Sequence, residues 1–279
     1  MNAITPALLL APQQSSTSQL LAEAAKRRGL DVVVLDGPAV LGSMAGRQVH
    51  WYGGPLAADR VTGRLDLALL EPADDWLARL EREFTGRWIE STTLSEAWAL
   101  HRPMFVKPPS DKQFPAAVYA DGARLPRQGE RIGPDTAVLV SDVVTFAVEY
   151  RLFILDRRVV AGSRYARYGR LDTRPLGGDP HEAAVRAFAQ RLLEAVGHSL
   201  PSGVAVDVGL IQDPDNGEEQ WAVVEANMPW FAHSYAATPD AFLDVVLRAT
   251  GPRSAVDRFD RRFVRESPAT ADPVLDRPI

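Results

Sequence analysis

The chain contains no cysteine among its 279 residues, and this absence removes several kinds of chemistry. Disulfides, thiolate nucleophiles and cysteine-ligated metal centres are all excluded. No apolar run reaches the roughly 18 residues that a membrane-spanning helix needs, and the short run ALLLA near the N-terminus has no Lys or Arg before it. We therefore expect neither a membrane span nor export, and we expect a cytoplasmic location.

Lysine and phosphate-binding glycine loops are also scarce. Of the 31 basic residues, three are lysine (Lys26, Lys107 and Lys112) and the other 28 are arginine. Neither GxGxxG after the first strand nor GxxxxGK[ST] anywhere is present, so an ordinary Rossmann or P-loop nucleotide site is not expected. The net charge of −5 gives no electrostatic basis for general nucleic-acid binding.

The sequence that is present is 46% hydrophobic and long enough for one large or two modest cores. Residues 1–102 predict a small α/β domain that opens β-α-β and includes a helix over residues 73–84. Residues 103–250 are dominated by strand patterns, with helices over residues 181–196 and 242–250. Residues 251–279 are rich in Arg, Asp and Pro, which predicts a poorly ordered tail.

The most informative stretch is a predicted hairpin that places three oxygen-bearing side chains together. Two valine-rich runs flank Asp-Pro-Asp-Asn-Gly, which favours a turn between antiparallel strands. Because side chains alternate along a strand, Glu225 and Asn227 share a face, and a loop centred near Asn216 sets Asp207 opposite Glu225. Such an oxygen set suits Mg²⁺ or Mn²⁺. The alternative is a solvated acidic patch, which buried strands make costly.

Four further side chains are candidates for binding phosphate or sugar. Lys107 ends an apolar strand and Lys112 lies in the polar loop after it, although a lysine in an exposed salt bridge is the common alternative. Glu149 and Arg151 share a strand face and could pair with each other. If that face also carries Arg164, it could contact a polyphosphate, with Glu149 accepting from sugar hydroxyls.

Two segments are candidates for substrate contacts. The stretch SRYARYGRLDTRPLGG interleaves arginine and tyrosine, and in an acidic chain it favours a local anion site, for phosphates or a substrate carboxylate, over RNA binding. A flexible solvated loop explains Arg167, Arg170 and Arg174 equally well. In NMPWFAHSY, four side chains could wall a substrate pocket: Trp230, His233, Ser234 and Tyr235.

Three motifs, in this order, resemble the ATP-grasp superfamily. They are FVKP (105–108), the strand–hinge–strand stretch VLVSDVVTFAVEYRLFI (138–154), and a closing D…ExN in AVDVGLIQD (205–213) and VVEANMP (223–229). The resemblance covers residues 103–250 well and the N-terminal segment loosely. Many members carry a second lysine on the strand entering the hinge, where this chain has AVLV. The close lysines look more like a small clade known for paired lysines and an arginine, often found near peptide-modifying systems.

The resemblance implies an α+β fold in which two β-rich lobes enclose ATP, preceded by a small α/β domain. It implies phosphate contacts from Lys107 and Lys112, ribose binding by Glu149, and an Arg151 that faces the γ-phosphate or an acyl phosphate. The adenine would bind to the hinge backbone, which comprises Ser141, Asp142, Val143 and Val144. The metal, Mg²⁺ or Mn²⁺, would bind to Asp207, Glu225 and Asn227.

The activity that the resemblance implies is ATP-dependent joining of a carboxylate to an amine through an acyl phosphate, with release of ADP and phosphate. Lys107, Arg151 and Arg164 are the catalytic candidates, and the substrates would be amino acids or peptides. A kinase that phosphorylates a small molecule, or an ATP-binding module without turnover, are the alternatives. Dimers are common in the superfamily, so a homodimer is one assembly to expect.

Overall fold

Two antiparallel sheets, of four and five strands, border a common cleft, and a parallel three-stranded sheet precedes them in the chain. The computed structural model describes residues 5–13, 15–109, 114–127, 132–212 and 217–266. Within those ranges, no helix combines the length and apolarity needed to cross a membrane.

The N-terminal region confirms the predicted β-α-β opening. Its parallel sheet has the strand order β2-β1-β3, and the first helix begins after Ser15, whose side chain accepts from the backbone N–H of Ser18 in a capping box. The elements are β1 (Ala7–Leu10), α1 (Ser16–Arg27), β2 (Asp31–Val34), α2 (Pro38–Ser43), β3 (Val49–Tyr52), α3 (Pro55–Leu65) and β4 (Leu67–Leu69).

The helix predicted over residues 73–84 is wrong. The chain forms a 3₁₀ turn at Trp76–Arg79, runs extended at Leu80, and then forms the short helix α4 (Arg82–Thr85). This break lets Trp76 and Phe84 both enter the core beside the five-stranded sheet. Tertiary burial therefore overrides the helical spacing of the apolar residues.

The four-stranded sheet begins earlier than predicted. Its order is β5-β8-β6-β7, so the strand at residues 89–93 belongs to it. The predicted domain boundary at residue 102 is therefore too late, because the backbone hydrogen bonds of this sheet begin before it. The elements are β5 (Ile89–Thr93), α5 (Leu94–Ala97), β6 (Met104–Lys107), β7 (Ala117–Tyr119) and β8 (Ala137–Ser141).

The five-stranded sheet has the order β11-β10-β9-β12-β13, with every pair antiparallel. The predicted turn at Asp156-Arg157 is confirmed, and both residues have the positive φ that a two-residue hairpin turn requires. The predicted pair of strands around the Asp-Pro-Asp-Asn turn is also confirmed, although residues 213–216 lie outside the described ranges. The elements are β9 (Phe146–Leu155), β10 (Arg158–Arg167), β11 (Arg170–Pro175), α6 (Glu182–Val196), β12 (Gly203–Gln212) and β13 (Glu219–Asn227).

Helices cover both faces of the five-stranded sheet. Helix α6 buries Phe188 and Leu192 against one face, and helix α7 (Pro239–Ala249) buries Phe242 against Phe153 on the other. Each large side chain contributes roughly 2 kcal/mol through burial. We refer below to the α6 face and to the cleft face, which carries Glu149 and Arg151.

The described part of the predicted tail is packed rather than poorly ordered. Strand β14 (Thr250–Pro252) pairs with β4, the Phe263 ring is buried, and Arg265 forms ion pairs with Asp59 and Glu71. The expectation of disorder is wrong through Glu266, because a few long-range contacts anchor a segment that has no periodic pattern.

Candidate active site

A cleft of about 870 Å³ separates the four-stranded sheet from the five-stranded sheet. Its apolar walls come from both lobes: Phe105, Val118 and Leu139 from one, Phe146 and Val224 from the other. Charged and amide side chains also line it, namely Arg87, Lys107, Glu149, Glu225 and Asn227. The cleft therefore suits a ligand that has both a flat apolar part and an anionic part.

The predicted hinge joins β8 to β9 and forms one side of this cleft. The Asp142 carboxylate accepts from the backbone N–H of Trp88 at 3.0 Å, and the Asp142 N–H donates to the Trp88 carbonyl at 3.1 Å. Ser141 donates to the Asp142 carbonyl at 3.2 Å. Within the described ranges, no hydrogen bond occupies the backbone N–H groups of Val143 and Val144. A held backbone with open N–H groups can bind the edge of a planar base.

Two carboxylates meet on the hairpin of β12 and β13. The register pairs Asp207 with Glu225, as predicted, and a bulge follows Asp207. The Asn227 amide donates from Nδ2 to Glu225 Oε1 at 2.7 Å, which leaves its carbonyl oxygen as the remaining ligand atom. The three predicted metal ligands are thus adjacent.

Each of the two carboxylates is paired with a cation from another strand. Arg151 on β9 binds Asp207 through two bonds, Nε–Oδ1 at 2.8 Å and Nη2–Oδ2 at 2.7 Å. Lys107 on β6 donates from Nζ to Glu225 Oε2, so this pair links the two lobes. Lys107 and Arg151, predicted from separate motifs, are brought to one place.

These pairings shift the titration of the groups involved. Burial alone would lower the pKa of Arg151, but the Asp207 carboxylate raises it well above its usual value. Burial opposes ionisation of Glu225, yet Lys107 and the Asn227 amide lower the pKa of this carboxyl to about 2. Both charges are therefore present at neutral pH.

Glu149 and Arg151 share the cleft face, as predicted, but they do not pair with each other. Glu149 accepts from the Tyr165 hydroxyl at 2.7 Å, and burial raises the pKa of its carboxyl. The Arg151 guanidinium lies 5.8 Å from the Tyr165 ring centroid. Tyr165 therefore connects two residues that the sequence assigns to different parts of a nucleotide.

Arg87 is a cleft residue that sequence reasoning missed. Its guanidinium donates to the carbonyls of Thr85, Val223 and Val224 and lies 5.4 Å from the Phe146 ring centroid. Burial lowers its pKa to about 10, against the effect of nearby carboxylates. Nothing in its sequence surroundings distinguishes it from the other arginines, because its partners are distant backbone groups.

Arg164 is not brought to this site. It pairs in register with Tyr150 on the α6 face, where Nη1 binds Asp179 at 2.8 Å. The reason is a β-bulge between Val159 and Ala161. The register at the Asp156-Arg157 turn, if continued, would set Arg164 opposite Glu149, and a shift of one residue moves a side chain to the other face. The predicted catalytic role of Arg164 is not supported.

The other arginines of the Arg-Tyr segment lie away from the cleft. Arg167, Arg170 and Arg174 are exposed on the hairpin of β10 and β11, which is consistent with a solvated surface. Lys112 lies outside the described ranges, so the structure does not place it.

The segment after Asn227 divides between core and site. Trp230 is fully buried and donates to the Leu70 carbonyl, so it does not wall a pocket. Ser234 is buried against Thr17 at the start of α1. His233 and Tyr235 lie beside Arg151: Nη1 is 3.5 Å from the His233 carbonyl, and the guanidinium is 5.3 Å from the Tyr235 ring centroid.

The predicted metal ligands fit a hard divalent cation only in part. Among the described residues, no group of three or more His, Asp or Glu side chains is arranged to hold a metal ion. Asp207, Glu225 and Asn227 supply two carboxylates and an amide oxygen, which suffice for Mg²⁺ when phosphate and water oxygens complete its coordination.

A family model for an ATP-grasp domain, family 2 of the clade named for one arginine and two lysines, matches residues 84–245, more than half of the chain. The chain belongs to this ATP-grasp family. The match begins before β5, in agreement with the sheet pairing, and ends within α7. No curated protein matches the chain.

Solved structures similar to this ATP-grasp protein cover most of its length. D-alanine–D-alanine ligase from Bacillus anthracis is 14% identical, with 88% of this chain and 97% of that chain covered and a TM-score of 0.50. A RimK domain ATP-grasp protein from Sphaerobacter thermophilus is 20% identical, with 87% and 100% covered and a TM-score of 0.47. Macrocyclase MdnC from Microcystis aeruginosa, bound to precursor peptide MdnA, is 14% identical, with 88% and 99% covered and a TM-score of 0.44.

Proposed function

We propose that this ATP-grasp protein is an ATP-dependent carboxylate–amine ligase that acts through an acyl phosphate on amino acids or peptides. The observation that carries the proposal is the cluster at the cleft: Lys107 and Arg151 lie beside Asp207, Glu225 and Asn227. Such a cluster combines cations for a triphosphate with oxygen ligands for a divalent metal.

The nucleotide would lie in the cleft between the lobes. Its base would contact the backbone of Val143 and Val144 between the apolar walls, and its ribose would donate to Glu149. The phosphate oxygens would replace carboxylate oxygens as partners of Lys107 and Arg151. Both side chains are mostly buried, 13% and 10% exposed, so their charges act at reduced dielectric screening.

The metal site follows from the same exchange of partners. Mg²⁺ or Mn²⁺, when bound, would neutralise phosphate charge and hold the phosphates in position. Asp207, Glu225 and Asn227 are the residues that would hold it, once Arg151 and Lys107 turn to the phosphates.

The chemistry would need no nucleophilic side chain. A carboxylate oxygen of the acid substrate attacks the γ-phosphorus, the bond to ADP breaks, and an acyl phosphate forms. The amine nitrogen then attacks the acyl carbon, loses a proton and displaces phosphate, which leaves an amide. Lys107 and Arg151 stabilise the charge that develops during phosphoryl transfer.

The test is product analysis with Mg²⁺ and ATP, across pools of amino acids and short peptides, with hydroxylamine as an amine that traps any acyl phosphate. We expect ADP and phosphate in equal amounts, together with a hydroxamate that identifies the acid. The matched control is Asp207→Asn, which should form no hydroxamate.

Other outcomes separate the alternatives. ADP with an acid-stable phosphorylated product and no free phosphate would indicate a small-molecule kinase. Binding of Mg·ATP without turnover in any pool would favour the non-catalytic module.

A further inference from the structure

Tyr235 has a backbone conformation that its side chain disfavours. Its φ is 49°, and the Ala237 N–H donates to the Ser234 carbonyl at 2.9 Å, so Tyr235 occupies the second position of a four-residue turn. A positive φ at this position favours glycine, and a bulky residue there is a genuine outlier. Strained positions of this kind are often found at functional sites.

The other non-glycine residues with positive φ in the described ranges have local explanations. Asp156 and Arg157 form a hairpin turn, Tyr168 precedes Gly169 in another, and Asp66 ends helix α3. Tyr235 differs from these because its turn joins a segment of the site to helix α7 and its side chain points towards Arg151.

The Tyr235 ring is stacked on the Tyr165 ring, with centroids 5.2 Å apart and planes at 14°. The two hydroxyls differ: that of Tyr165 donates to Glu149, whereas that of Tyr235 makes no hydrogen bond within the described part of the chain. Burial and the neighbouring carboxylates raise the pKa of Tyr235, so its hydroxyl stays protonated at neutral pH and can donate.

The Arg151 guanidinium also has an unused edge on this side. Nε and Nη2 bind Asp207, while Nη1 lies towards the segment of His233 and Tyr235. A protonated hydroxyl and a guanidinium edge side by side are both donors, and a carboxylate, which only accepts, complements them.

We infer that Tyr235 contacts the acid substrate, with its hydroxyl donating to the substrate carboxylate beside Arg151. This role rests on the proposed function. The oxygen that Tyr235 holds is the one that does not attack the phosphorus and becomes the carbonyl oxygen of the acyl phosphate. The strained turn is retained because it sets the ring against Tyr165 and directs the hydroxyl to this position.

The test is Tyr235→Phe, which keeps the ring stack and removes only the hydroxyl. Initial rates of ADP release are measured while the acid and ATP are varied separately. We expect the KM for the acid to rise about tenfold or more, the size of one lost hydrogen bond to a charged group. The KM for ATP and the Kd of a non-hydrolysable ATP analogue should change less than about twofold.

Two matched variants distinguish this role from a structural one. Tyr165→Phe removes the hydroxyl that binds Glu149 and should raise the KM for ATP rather than that for the acid. Tyr168→Phe alters an exposed tyrosine with φ 46° at the hairpin tip and should change neither constant.

An unchanged KM for the acid in Tyr235→Phe, with wild-type turnover intact, overturns this inference and leaves the proposed function standing. Equal rises in both KM values also overturn it, because they show that Tyr235 acts only by holding Tyr165. If the wild type releases no ADP with any acid, the proposed function fails, and the role of Tyr235 fails with it.

Discussion

Two buried arginine–aspartate pairs lie on opposite faces of the five-stranded sheet. Arg151 binds Asp207 on the cleft face, and Arg164 binds Asp179 on the α6 face. Their guanidinium side chains are similarly enclosed, at 10% and 4% exposed. Burial and ion pairing are therefore the same on both faces and do not reveal which pair is functional.

The neighbours of the two pairs differ. On the α6 face, Asp179 also accepts from the Tyr150 hydroxyl at 2.6 Å and the His181 N–H at 3.0 Å, so its acceptors are fully used. On the cleft face, Asp207 lies across the hairpin from Glu225, next to a second ion pair and an open cleft. The comparison indicates that an ion pair next to a second pair and a cavity can exchange partners with a ligand, whereas an enclosed pair stabilises the fold.

The largest expected effect comes from neutralising Asp207. In Asp207→Asn, turnover with Mg·ATP should fall by about 10²-fold or more, because one metal ligand and the anchor of Arg151 are lost. Steady-state ADP release, measured at a temperature where the variant is folded, gives the result.

The matched substitution on the other face is Asp179→Asn. Breaking a buried pair costs about 3 kcal/mol of unfolding free energy, so this variant should unfold at lower urea concentration and keep turnover within about threefold of wild type. Equal losses of turnover in the two variants would contradict the division between the faces.

A smaller effect is expected from Lys107→Ala. Loss of its charge should weaken binding of a non-hydrolysable ATP analogue by about tenfold, since one charge-assisted contact to phosphate is removed. Isothermal titration calorimetry measures the change. Lys26→Ala, on the exposed side of α1, is the control and should bind as wild type does. Unchanged affinity in Lys107→Ala would remove this residue from the phosphate site.

Much of the cleft face could be predicted from local sequence. The turn residues and alternating strands correctly set Asp207 opposite Glu225, because a hairpin register depends on a few neighbouring residues. The hinge and the shared face of Glu149 and Arg151 followed from the same short-range rules.

Errors arose where a single residue or a distant contact decides the structure. A bulge near Val160, invisible in the sequence, moved Arg164 to the α6 face. The partners of Arg87 are backbone carbonyls more than a hundred positions away, and the positive φ of Tyr235 has no glycine to signal it. The segment after Gly251 is ordered by long-range pairing that no local pattern indicates.

The smallest expected effect concerns pH and the Lys107–Glu225 pair. The pKa of Glu225 is about 2 in the folded chain, against an ordinary value of 4.5, so its ionised form stabilises the fold. That contribution is present above pH 4.5 and is lost as the pH falls towards 2. The side chain is 30% exposed, so we expect it to be on the order of 1–2 kcal/mol.

Urea unfolding of wild type and Glu225→Gln between pH 2 and 6 measures this contribution. The wild type should be the more stable protein at pH 6, and the difference should shrink towards pH 2, because protonation removes the charge that glutamine already lacks. Glu23→Gln, at an exposed position of α1, should show a small difference that does not vary in this way. A constant difference for Glu225→Gln would mean that Lys107 does not hold this carboxylate, and the link between the lobes would then depend on the hinge and core packing alone.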